Sequence, residues 1–239
     1  MSLYINSSRH YLNEFMAAFA SDTTADMIVL DAGAGDAPYR HLFNHATYET
    51  ADLKTVDKRY IDVTYECDLA DIPVDDGRFD RIIFNQVLEH VPDPQPVLAE
   101  LCRTLKPGGQ MICSAPLLFE EHEQPYDFYR YTQFAYPIMF GKAGFKVDNI
   151  MWLEGYFGTF AYQLRKAGRN IPIFHPRLSK NIFGLAAIPL LLIAKILARL
   201  GAGFFSRLDL IAKIEDRGSP KNYVVIAHKA EQTNDRGME

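Results

Sequence analysis

Ile28-Val29-Leu30-Asp31-Ala32-Gly33-Ala34-Gly35-Asp36-Ala37-Pro38-Tyr39 decides how the chain reads. An apolar, β-branched run ends in an acid, and two glycines one residue apart follow it. That is the pattern of a buried parallel strand turning sharply into a loop whose backbone can approach a ligand. Asp31 falls at the strand's carboxyl end, where open α/β sheets bind their ligands. Gly33 and Gly35 leave no Cβ to hold a ligand away. A dinucleotide turn needs G-x-G-x-x-G, with the pyrophosphate resting on a helix N-terminus. Here the third glycine position is Pro38, and Asp36 adds a negative charge to the loop. Both features disfavour pyrophosphate and tolerate a cationic ligand.

Working outward, Asp52 closes a short strand, Thr47 to Ala51, twenty-one residues after Asp31. An acid at about that distance reads ribose hydroxyls in nucleotide-binding α/β folds. Tyr65 to Pro73 carries Asp68-Leu69 after another short strand. Arg81 to Phe84 reads as a central strand, and Asn85-Gln86-Val87-Leu88-Glu89-His90 follows. Pro96 to Leu105 reads as a helix stopped by Lys106-Pro107-Gly108-Gly109, with a strand from Gln110 to Ser114. Pro38 to Phe43 is expected to open a helix, Ser8 to Ala20 is an amphipathic helix, and Thr132 to Lys142 another.

From Ile28 to Ala115 these segments together resemble the class I S-adenosylmethionine (SAM)-dependent methyltransferases. The first motif matches acid-x-Gly-x-Gly-x-Gly with Ala37 at the last glycine, and Leu-Glu-His and Lys-Pro-Gly-Gly recur in the expected order. The resemblance implies a Rossmann-like seven-stranded, mostly parallel sheet in the order 3-2-1-4-5-7-6, flanked by helices. It places the adenine at Asp68 and Leu69, and the methionine part at Asn85 and, more weakly, Gln86. His90 is read as an anchor for its loop. The implied activity is methyl transfer from SAM to a small-molecule or glycan- or lipid-linked acceptor, at oxygen or nitrogen. The alternative is a catalytically silent SAM-binding scaffold subunit. An NAD-dependent oxidoreductase is disfavoured by Asp36 and Pro38.

The acceptor chemistry is expected in Leu117 to Thr132, which concentrates acids, aromatics, His122 and Arg130. A hydroxyl acceptor needs a base, and a neutral imidazole suits that task near pH 7. His122 is the candidate base, with Asp127, Tyr129 and Arg130 orienting the acceptor. The competing reading has this loop holding itself together, with Asp127 paired to Arg130. His122 is not part of H-E-x-x-H and has no second ligand at metal spacing, so no metal is expected.

Phe145 to Trp152 and Tyr223 to Ala227 read as the last two strands. Between them Ile182 to Leu200 is strongly apolar, broken by Pro189, Lys195 and Arg199. Three fates stay open: packing on the substrate side or a second subunit, an in-plane membrane contact, or a span. The expected organisation is a SAM-binding core over 1–154 and 222–230, an apolar helical insertion over 155–221, and a disordered tail over 231–239. The net charge of −5 argues against a nucleic-acid footprint. Cys67, Cys102 and Cys113 form no disulfide framework, and no secretory signal is read. The expected location is cytoplasmic, with peripheral membrane contact or a homodimer through 182–200.

Overall fold

Apolar β-branched segments separated by turn signals pair into one sheet. The computed structural model describes residues 4–55 and 60–230; the expected tail over 231–239 lies outside them. Seven strands pair in the order β3-β2-β1-β4-β5-β7-β6, the order that the resemblance implied. They are β1 (Ile28–Ala32), β2 (Thr47–Asp52), β3 (Tyr65–Glu66), β4 (Phe79–Asn85), β5 (Leu105–Pro116), β6 (Phe145–Trp152) and β7 (Asn222–Lys229). The pairs β1–β2, β1–β4, β2–β3 and β4–β5 are parallel, and β7 runs antiparallel to β5. Val29, Leu30, Ile82, Ile83, Phe84, Met111 and Ile112 are fully buried. Continuous apolar runs of this kind are what a sheet covered on both faces requires.

The helices are α1 (Ser7–Ser21), α2 (Pro94–Thr104), α3 (Ala135–Lys142), α4 (Tyr156–Asn170), α5 (Pro176–Ser179) and α6 (Ile182–Ile211). The chain divides into two compact units. One joins Asn13–Met151 to the residues from Asn222 on; the other joins the residues up to Leu12 to Trp152–Lys221.

Two local expectations fail for identifiable reasons. The helix expected from Pro38 is only a 3-10 turn, Arg40–Phe43. Ala37 has φ +46° and precedes a proline, which keeps it out of the right-handed helical region, so the chain leaves the glycine turn in a geometry that does not nucleate a helix. Lys106-Pro107-Gly108-Gly109 does not separate α2 from its strand. Leu105 already pairs with Phe79, and the ladder shifts register before Arg81 meets Gln110. Gly108, at φ +74°, takes up this irregularity inside β5.

In the helical unit, α4 packs on a face of α6 that carries Ala198, Ala202, Gly203 and Ser206, all buried. A Cβ on Gly168 would meet Arg199 Cγ at 2.7 Å, so the helices approach too closely there for a side chain. Lys195 Nζ donates to the carbonyls of Arg169 (3.4 Å) and Ile171 (3.2 Å), and Arg199 Nε donates to that of Gly168 (3.1 Å). The two cations that interrupt the apolar run therefore satisfy the carbonyl end of α4, where positive charge is favoured. The apolar side chains face outward: the most apolar 18-residue stretch of α6 is only 11% buried, and Leu190 is 69% exposed. By length and composition the helix is sufficient to cross a membrane.

Candidate active site

The turn after β1 sets the geometry. Gly33 N and Ala34 N donate to the carbonyl of Ala51 at 2.8 and 3.3 Å, which ties the turn to the end of β2. Gly33 has φ +76°, and a Cβ there would meet Val87 Cγ2 at 2.4 Å. Both the backbone conformation and the space exclude a side chain. Asp52 fixes the turn from the other side: its Oδ2 accepts from Gly35 N (2.9 Å) and its Oδ1 from Lys54 N (2.8 Å).

A cavity of about 310 Å³ opens over these strand ends. Gly33, Asp52, Asp68, Leu69 and Gln86 line it, so five of the eight expected cofactor residues converge from four separate segments. Larger and more open depressions, about 540 Å³ each, lie around Arg78 and Arg103 and along Phe145–Ile150. Neither gathers the strand-tip acids.

The other three expected residues are not part of the lining. Gly35 holds Asp52. Asn85 donates through Nδ2 to Met16 Sδ at 3.0 Å. Asp31 is 5% exposed and accepts from Tyr48 Oη. Burial pushes the Asp31 carboxyl up to about 7 against the lowering effect of that hydrogen bond, and the neighbouring Asp52 and Asp36 charges add to the rise. Gln86 adopts φ +56°, and its N–H donates to the carbonyl of Ser114 at 2.7 Å, which turns the chain sharply out of β4.

The loop after β5 is held largely by its own side chains. Asp127, whose side chain is 3% exposed, accepts two hydrogen bonds of 2.7 Å from Arg130 and one of 2.9 Å from His122 N. The Arg130 guanidinium holds the Asp127 carboxyl well below the usual carboxylate range. Arg130 also donates to the carbonyls of Phe119, Glu120 and Tyr129. Tyr129 Oη donates to the carbonyl of Pro92 at 2.9 Å. Asp127, Tyr129 and Arg130, expected to orient the acceptor, are thus engaged in loop structure, and none of them lines the cavity. His122 does not line it either. Its ring packs edge-on against His90, centroids 4.7 Å apart, and His90 does line it. His90 Nδ1 meets the carbonyl of Tyr126 at 2.7 Å, which anchors the loop as expected. Burial pulls the His90 imidazole below its usual range.

Sequence reasoning missed Glu123 and Tyr126, which carry this loop to the cavity wall, and Val87, which backs Gly33. It also missed the burial of Glu89. This residue occupies the 3-10 turn Leu88–His90, is 0% exposed, and has a carboxyl that burial pushes up to about 8. An acid between Leu and His just beyond a strand end carries no local sign of such burial.

Residues 30–113 match the family model described as a methyltransferase domain. This match is consistent with a class I SAM-dependent methyltransferase. The match spans β1 to β5, and so contains every expected cofactor residue. The chain is 29% identical over 130 residues to the ubiquinone biosynthesis O-methyltransferase of Maricaulis maris, covering 44% of this chain and 51% of that one. It is 28% identical over 124 residues to the demethylmenaquinone methyltransferase of a Geobacillus strain, covering 50% and 52%. The chain thus spans about half the length of these curated relatives. Among solved structures, a Burkholderia thailandensis 1,6-didemethyltoxoflavin N1-methyltransferase, bound to its substrate and S-adenosylhomocysteine, superposes with a TM-score of 0.52 at 16% identity. That match covers 94% of this chain and 79% of that one. The [4+2]-cyclase SpnF superposes at 0.56 and 15% identity, covering 92% and 81%. At these identities the structures share the fold, and a fold alone does not fix a reaction.

Proposed function

We propose that this protein transfers the methyl group of SAM to an oxygen or nitrogen atom of a small-molecule acceptor. The observation that carries the reading is the charge of the cavity over the strand tips. Asp52, Asp68 and Glu123 line it, and no Lys or Arg does among the described residues. A donor with a sulfonium and an ammonium group suits such walls, whereas a pyrophosphate would meet like charge with no Lys or Arg among the described lining residues to offset it. SAM arrives already activated, so the protein's task is alignment of the nucleophile with the methyl–sulfur bond. The new bond forms to carbon as the carbon–sulfur bond breaks. S-adenosylhomocysteine leaves, and a hydroxyl acceptor also loses a proton. His122 is the proposed base for a hydroxyl acceptor, and Asp127 Oδ2, 3.1 Å from its Nδ1, orients the ring.

The test is calorimetric titration of the full chain with SAM and with NAD, followed by transfer of labelled methyl into cell extract. SAM binding with label transfer is expected. Binding of NAD in preference to SAM would end the reading, and SAM binding without transfer would favour the silent scaffold.

The exposed apolar face of α6 supports a finer reading, in which the protein contacts a lipid surface in the membrane plane and the acceptor is lipid-linked. Lys195 and Arg199 are turned to α4, which leaves the outer face uncharged along this stretch. Such a face binds through buried apolar area. Flotation with vesicles is expected to carry the protein upward. A monodisperse monomer in the soluble fraction without detergent would refute it, and a monodisperse dimer would transfer the surface to a second copy.

A further inference from the structure

We infer that Glu89, His90 and His122 form a binding site for one first-row divalent transition-metal ion, with Zn²⁺ as its probe. Glu89 and His90 leave the end of β4, and His122 arrives thirty-two residues later on the loop after β5. One donor atom from each side chain lies within 4.8 Å of the other two.

Three further features point to a ligand there. First, neither carboxylate oxygen of Glu89 has a hydrogen-bond partner in another residue, although the side chain is completely buried. A buried carboxylate with both oxygens unpaired is costly, and an ion is one of the few partners that satisfies it. Second, both imidazoles are held from behind through the same atom. His90 Nδ1 meets the Tyr126 carbonyl at 2.7 Å, and His122 Nδ1 meets Asp127 Oδ2 at 3.1 Å. A carbonyl and a carboxylate only accept, so each ring carries its proton on Nδ1 and its lone pair on Nε2. Backing of this kind orients ligating histidines and raises their basicity. Third, His90 Nε2 stands 3.8 Å from Glu89 Oε1, so two of the donors already face each other.

Two imidazoles and one carboxylate suit zinc or iron(II) and disfavour magnesium, which prefers an octahedron of oxygens. Ligands of one zinc ion lie about 2.0–2.2 Å from it, so these side chains must close by roughly an ångström on binding. The sequence-level expectation of no metal rested on local spacing; here the donors meet only through the fold.

The site adjoins the cavity, because His90 belongs to both. If the methyl-transfer reading holds, on which this use of the ion rests, the open coordination positions would take an acceptor oxygen. The ion would then lower that oxygen's pKa, and His122 would serve as ligand rather than as base.

The experiment is zinc titration of the chelator-stripped full chain by calorimetry, with magnesium as the control ion and SAM titrated in parallel. One zinc per chain at micromolar affinity or tighter is expected, and cobalt(II) should give the intense visible absorption of a four-coordinate site. Glu89→Gln and His122→Ala should each weaken zinc at least 100-fold. Asp127→Asn should weaken it by about 10- to 100-fold. SAM affinity in Glu89→Gln should stay within a few-fold, which separates this site from the cofactor reading. No zinc binding by the wild type, or binding that survives both ligand substitutions, would overturn the inference. Where a variant fails to fold, the cobalt spectrum of the wild type still tests the site: absence of four-coordinate absorption would overturn it.

Discussion

The turn after β1 and the loop after β5 each stand on a buried aspartate, and they treat it in opposite ways. Asp31 faces a neutral phenol and two further acids, and burial raises its carboxyl to about 7. Asp127 faces a bidentate guanidinium, which keeps it ionised far below that. The first charge can be removed by a proton; the second is matched by a partner. Residue type alone therefore says little about a buried acid, and the groups packed around it say most. At the turn, backbone and strand-end carboxylates hold the chain. In the loop, side chains hold one another and backbone carbonyls.

The largest expected effect tests the first half of that contrast. Asp31 is neutral in both folded and unfolded chains below about pH 4. Between there and pH 7 the unfolded chain ionises while the folded one keeps its proton. Stability should therefore fall as pH rises through this window and level off above it. At about 1.4 kcal/mol per pKa unit, the full change is roughly 4 kcal/mol. Asp31→Asn should remove its share of that slope in urea melts run from pH 4 to 8, leaving the part that buried Glu89, raised to about 8, contributes over the same window. An unchanged slope would place Asp31 on the same footing as Asp127.

A smaller effect separates the two regions functionally. Gly33→Ala puts a Cβ against Val87 at a positive φ. SAM affinity should drop roughly 100-fold, about 2.7 kcal/mol, by calorimetry. The loop after β5 should keep its amide protection in hydrogen exchange. Loss of protection there would mean that the two regions are one cooperative unit.

The smallest effect is expected on the other side. Tyr129→Phe removes one exposed hydrogen bond to Pro92 and should cost about 0.5–1 kcal/mol in urea. SAM affinity should be unchanged. A loss of turnover larger than this stability change would return Tyr129 to the acceptor site.

The convergence at the strand tips was legible in the sequence because its geometry is local and periodic. A strand end, two glycines and an acid about twenty residues on all fall at spacings that the sheet imposes. Gly33, Asp52, Asp68, Leu69 and Gln86 duly meet at one cavity. The pairing of Asp127 with Arg130, three residues apart, was readable too, although it could not be ranked against contact with an acceptor. What stayed hidden depends on distant partners. Nothing near Tyr129 names Pro92, and nothing near Glu89 announces complete burial. The missing helix after Pro38 and the early start of β5 failed for another reason. There a proline, a positive-φ alanine and a bulge overrode propensity.

The inward aim of Lys195 and Arg199 has a consequence for how α6 would stick to anything. The two cations inside its apolar run are already consumed as end-plugs for the neighbouring helix. Adhesion through the remaining face should be electrically indifferent: raising ionic strength should not release it, and swapping acidic lipids for zwitterionic ones should not weaken it. Grip would instead track temperature and detergent, as oil-like contacts do.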